Sequence, residues 1–173
     1  MKLRVEPLDD PNAVDALLRD AWIAPKLRRD DRAAAYVDHP LLTYHGAYVD
    51  DRLVGLFMAV RFTAYETEVH VAIKREAVAH GRALSHLFLE QVFADPFVLR
   101  ATAYVIGTLG TAANMVRKLG FTDEGRRRHA CLVRGEPTDI IILGLTREDW
   151  TASASAEAAS LTGEAKIACV ERS

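Results

Sequence analysis

Residues 69–83 read Val-His-Val-Ala-Ile-Lys-Arg-Glu-Ala-Val-Ala-His-Gly-Arg-Ala, and the fold turns on how they are taken. Val69 to Ile73 close an alternating run that begins near Glu66. Thr67, Val69, Val71 and Ile73 fall on one face of this strand, and Glu66, Glu68, His70 and Ala72 on the other. From Gly81 the period changes. Leu84, Leu87, Phe88 and Val92 recur at helical spacing as far as Ala94, and Asp95-Pro96 ends the helix. A turn at a strand's end, with a glycine and then a helix, presents free backbone N–H groups at a positive dipole end, which suits a pyrophosphate. Gly81 lets the backbone come close to phosphate oxygens without a Cβ in the way. Small Ala83 does the same one turn in, and Lys74, Arg75, His80 and Arg82 add positive charge nearby. The segment also reads as a plain connection, because many strand–turn–helix junctions share these features.

Upstream, Thr43–Val49 and Leu53–Phe62 read as two strands joined at Asp50-Asp51, a hairpin. Leu3-Arg4-Val5 reads as an opening strand. Asp10 and Pro11 form an N-cap with proline at the first helical position, and Val14, Leu17, Leu18 and Ala21 follow as one apolar stripe. Residues 23–40 are mixed and charged, a solvated connection with a short helix or, in an enzyme, a pocket lining.

Downstream, residues 97–106 form a β-rich run. A short helix follows with Ala112, Met115, Val116 and Leu119 inward, Gly120 just past its end, and Arg117 and Lys118 in its last turn. Strands over 127–134 and 138–145 are joined by Gly135-Glu136-Pro137, and the apolar run Ile140-Ile-Ile-Leu-Gly-Leu145 predicts a strand covered on both faces. After Trp150 the chain turns to Ala, Ser, Thr and Glu. The element order is βα(α)βββαβαββ, an α/β domain over 1–150, and 151–173 is expected to be a flexible or weakly packed tail.

The 173 residues are enough for one buried core, and 50% hydrophobic with 27% charged residues is ordinary for a globular chain. A net charge of −2 argues against a general nucleic-acid binder. No apolar run approaches 18 residues, so no membrane span is expected, and a cytoplasmic location is the expectation. Cys131 and Cys169 lack metal-ligand spacing and read as idle thiols, so no metal site is expected. Arg126-Arg127-Arg128-His129 could attract an acidic substrate, but on an edge strand such charges usually face water.

Val78-Ala79-His80-Gly81-Arg82-Ala83 resembles the Gln/Arg-x-x-Gly-x-Gly/Ala signature of the GCN5-related N-acetyltransferases, with its first residue changed. Val71-Ala72-Ile73 stands where that family has an apolar-x-apolar pair. Arg117-Lys118-Leu119-Gly120-Phe121 is similar to its Lys-x-Gly-Phe pattern. Asp123-Glu124-Gly125 and the ending Leu145-Thr146-Arg147-Glu148-Asp149-Trp150 resemble the ribosomal-protein N-terminal acetyltransferase branch. The resemblance covers about residues 1–150 in element order, and agreement of several motifs is what gives it weight.

The resemblance implies a mixed, mostly antiparallel sheet with helices on both faces and a splayed central strand pair that holds acetyl-CoA. The backbone of Val71 and Ile73 would pair with the pantetheine arm, and the amides from Val78 to Ala83 (with His80, Gly81 and Arg82 between) would hold the pyrophosphate. An amine acceptor then attacks the thioester directly. The family's usual base, a glutamate on this strand, falls on Thr67. Glu68 and His70 are therefore the candidate catalytic pair, although both also read as polar strand residues with ordinary hydrogen bonds. The family's helix-four tyrosine corresponds to Val116. Its asparagine corresponds to Leu109 unless Asn114 takes over that contact, and Tyr104 is a substitute acid or a core tyrosine. Family members often pair, which implies a homodimer. Two other readings stay open: an inactive acyl-CoA-binding or interaction module, and an unrelated nucleotide-binding domain, disfavoured by the lack of Walker or dinucleotide glycine patterns.

Overall fold

The computed structural model describes residues 1–27 and 32–153. Residues 28–31, Cys169 and all but the first three residues of the expected tail lie outside them. Seven strands form one sheet in the order β1-β2-β3-β4-β5-β7-β6. They are β1 (Leu3–Pro7), β2 (Leu42–Val49), β3 (Arg52–Val60), β4 (Glu66–Ile73), β5 (Arg100–Ile106), β6 (Thr122–Val133) and β7 (Glu136–Thr146). All neighbours are antiparallel except β4 and β5. Two helices, α1 (Pro11–Leu18) and α2 (Ala24–Leu27), belong to one face, and α3 (Gly81–Ala94) and α4 (Gly110–Lys118) to the other. The expected mixed sheet between helices is the observed fold.

Local chemistry accounts for the element ends. Asp10 caps α1 by accepting from the Asn12 N–H, with Pro11 at the first helical position. The β2–β3 turn is two residues long, and Asp50 takes the left-handed conformation that it requires. Val14, Leu17 and Leu18 pack on Leu56 and Ala72, while Leu84, Phe88 and Leu89 of α3 pack on Phe57 and Val69. Phe57 and Phe88 stack at 4.7 Å.

The structure corrects three details. Ala21 is exposed, because α1 stops at Leu18 and the Asp20 carboxylate accepts from the Trp22 and Ile23 N–H groups to start a new turn; buried Ile23 fills the core position. The last hairpin turns at Arg134-Gly135, both at positive φ, and Glu136 and Pro137 already belong to β7. Pro137 is tolerated because β5 pairs with β7 only from Ile140 onward, so no second ladder lacks a donor there. β6 starts at Thr122 rather than 127. Residues 122–129 are exposed throughout, so no buried face imposes an alternation that a sequence could display. Beyond β7, residues 147–153 are helical, and Trp150 packs against Phe93 at 5.5 Å. Among the described residues no helix is long and apolar enough to cross a membrane.

Candidate functional site

The parallel pairing of β4 with β5 covers only Glu66↔Arg100, Thr67↔Ala101 and Glu68↔Thr102. Beyond it, β5 continues on β7 as far as Ile106 and β4 continues on β3 as far as Ile73. The sheet therefore divides into a V. Backbone groups alternate in direction along a strand. Lys74 donates its N–H to the Val54 carbonyl on the β3 side. Val71 and Ile73, at odd steps from it, turn their N–H and C=O groups into the V, the free edge expected of them.

A cleft of about 320 Å³ occupies the V on the α1 face, lined by Lys26, Met58, His70, Tyr104, Leu109 and Ala112 among others. Leu27, Ala34 and Ala35 also line it, so the segment after α1 is pocket lining rather than a solvated connection. A smaller apolar cavity of about 40 Å³ lies on the α3 side, between Ser85, Phe88, Met115 and Phe121. Both share Val69, His70, Val71, Ala103 and Val116, which form the partition between them.

At the far end of β4 the chain enters a 3₁₀ segment, Arg75–His80, that runs straight into α3. No side chain caps α3. Its own ladder begins at Leu84. Of the three amides ahead of it, Gly81 is given to the Val78 carbonyl, which leaves Arg82 and Ala83 outside that ladder. This narrows the expected row of amide donors. Val78 is half exposed, and its carbonyl is already in use. Gly81 has ordinary helical angles, and a Cβ there would stand 3.6 Å from Ile73 Cδ1 and Met115 Sδ, normal contact distance. The fold itself does not demand a glycine at this position, so its lack of a side chain fits close approach by something outside the chain. His80 is half-buried, while Arg82 and Ala83 are exposed.

Glu68 and His70 lie on the α1 face of β4, beside Val60 and Met58 of β3. His70 Nε2 and Glu68 Oε1 are 2.7 Å apart, with side chains 19% and 18% exposed. Near them, the Thr102 hydroxyl donates to Glu66 Oε1 at 2.5 Å. Arg100 lies 3.5 Å from Glu66 and 2.5 Å from Glu124. Glu66 is thus engaged by Arg100 and Thr102, whereas Glu68 faces His70. Thr67 is buried on the opposite face and lines a separate cavity with His45 and Gln91.

Asn114 lies on the exposed side of α4, where its Oδ1 accepts from Arg117, which also holds Asp123; it lines neither cavity. Val116 is buried between the two cavities and carries no proton donor. Tyr104 lines the cleft. Arg126 to His129 are exposed on the edge strand, with a register shift between Arg127 and Cys131, as the water-facing reading expects. Among the described residues no cluster of His, Cys, Asp or Glu could hold a metal ion.

No known family profile matches the sequence. The fold does match solved structures. A spermidine N-acetyltransferase from Vibrio cholerae in complex with CoA and spermine superposes with a TM-score of 0.74 at 14% identity, over 86% of this chain and 98% of that one. Mutant forms of the spermidine/spermine N-acetyltransferase SpeG from the same organism give 0.73 at 14%, over 88% and 98%. A Streptococcus mutans protein gives 0.69 at 20%, over 84% and 99%. These named matches do not support the ribosomal-protein branch suggested by the final hairpin.

Proposed function

We propose that the chain is an acetyl-CoA-dependent N-acetyltransferase that passes an acetyl group to a primary amine. The observation that carries the reading is the parting of β4 from β5 after Glu68, with the backbone edge of Val71 and Ile73 turned into the opening. The uncapped start of α3 at the strand's end and the fold shared with acetyltransferases support it. Acetyl-CoA, when bound, supplies a reactive thioester. Val71 and Ile73 would hold its pantetheine arm as an added strand, and the amides of Arg82 and Ala83 would meet its pyrophosphate. His70 lines the cleft and takes the proton from the acceptor ammonium at Nδ1, while Glu68, which faces Nε2–H, orients the ring and balances the imidazolium. The amine nitrogen forms the new bond to the acyl carbon as the C–S bond breaks. Tyr104 stands on the same wall as a donor for the leaving thiolate.

The acceptor we propose is a small or protein-borne alkylamine. At the paired end of the V, beside the cleft, the carboxylates of Glu66, Glu68 and Glu124 outnumber the guanidinium of Arg100, a local excess that favours a cation there. The solved neighbours make polyamines the first panel to try. Calorimetric titration with acetyl-CoA and CoA, followed by CoA-release assays over amines, tests the reading. Micromolar binding with amine-dependent release is expected; absence of binding overturns it. Buried Val116, which offers no proton, favours a second reading as an inactive acyl-CoA-binding module, and binding without turnover would select that one.

A further inference from the structure

Trp22 is 39% exposed, in the turn between α1 and α2. Its indole carries two cations from different parts of the chain. Lys26 Nζ stands 3.1 Å from the ring centroid and donates to the Trp22 carbonyl at 2.6 Å. Arg75 Cζ stands 5.4 Å from the same centroid. No ion pair among the described residues takes in either cation. Asp20, the nearest acidic influence on Lys26, spends its carboxylate on the Trp22 and Ile23 N–H groups.

Place gives the pair a meaning. Lys26 lines the cleft together with Leu109 and Ala112, at the end of the V where α4 begins. Arg75 opens the 3₁₀ segment that leads into Gly81. One cation thus lines the cleft and the other opens the segment whose far end carries the amides assigned to a pyrophosphate, and the Trp22 ring brings the two together. Two like charges drawn to one aromatic ring match a doubly charged phosphate monoester, and the ring gives both stems a fixed surface to lie on. Burial, with the Arg75 charge close by, holds the Lys26 ammonium below its ordinary value against the pull of Asp20. A bound anion would relieve that.

We infer that Trp22, Lys26 and Arg75 form a subsite for the 3′-phosphate of the cofactor, by which the chain tells CoA from its dephosphorylated form. The inference rests on the acyl-CoA reading above. Its test is calorimetric titration of the full chain, and of its Lys26→Gln and Arg75→Gln variants, with CoA and with 3′-dephospho-CoA. The unaltered protein should bind CoA at least tenfold more tightly than dephospho-CoA. Each variant should lose fivefold or more in affinity for CoA while its affinity for dephospho-CoA stays within twofold. Equal affinities in the unaltered protein overturn the subsite, as do variants that weaken both ligands alike or neither. Arg75 is exposed and Lys26 half-buried, and an unchanged melting temperature shows that both variants fold. A protein that binds neither ligand overturns the acyl-CoA reading itself, so the two failures are told apart.

Discussion

At the scale of single residues, the site depends on two neighbours on one strand face and one missing side chain. If His70 Nδ1 takes the acceptor's proton, His70→Gln should lower kcat by about 10²-fold or more, with KM for acetyl-CoA nearly unchanged. Steady-state kinetics at several pH values check this, and a KM effect alone would reassign His70 to binding. Gly81→Ala asks a different question. The added Cβ meets only normal contacts, so the melting temperature should hold while the Kd for CoA rises tenfold or more. Unchanged affinity would remove Gly81 from the pyrophosphate site. These residues were legible from sequence because strand alternation alone places Glu68 and His70 together, and a glycine at a strand–helix junction stands out. Trp22 and Lys26 were not legible, since an indole gathering cations across a turn depends on a chain path that no periodicity encodes. For Asn114, position in a helix leaves open what Arg117 does three residues on, and here the guanidinium donates to the Asn114 side-chain oxygen.

Among the elements, β4 and α3 have the bounds that their sequence periods predict, Glu66–Ile73 and Gly81–Ala94. Each has faces that contrast in what they bury. β6 defied reading because it is an edge strand exposed along most of its length. The energetic weight should follow the same lines. Phe88 is 2% exposed and stacks on Phe57 beneath the V, so Phe88→Ala should cost about 3–5 kcal/mol in a urea titration. Asp10→Ala, which removes one cap bond at the surface end of α1, should cost about 1 kcal/mol. A Phe88 variant no weaker than the Asp10 variant would mean that the packing under β4 is looser than described.

Across the whole molecule, one half-buried histidine ties three elements and sets a pH response. His45 of β2 shares a hydrogen bond with Gln91 of α3 at 3.2 Å, Gln91 donates to the Val5 carbonyl of β1, and the ring meets Phe88 edge-on. Burial pushes the His45 imidazole below its ordinary 6.5, against the Gln91 bond and the charge of Asp9. The unfolded chain takes up a proton near 6.5 while the folded one resists until lower pH. Stability is therefore full above 6.5 and falls as pH drops through the window beneath it. Asp95, lowered by the Phe97 N–H and Arg61, and Asp123, lowered by Arg117, lose their contributions only below their ordinary 3.8. The melting temperature should start to fall just below pH 6.5, and His45→Gln should remove that first decline; a variant with the same profile would assign it elsewhere. The seven strands also have a mechanical weak line. Four strands on one side and three on the other are stitched by three residue pairs, Glu66 to Glu68 against Arg100 to Thr102. A ligand lying along Val71 and Ile73 would lengthen that seam from one end, so that cargo would become part of the frame and each release would unpick what loading had sewn.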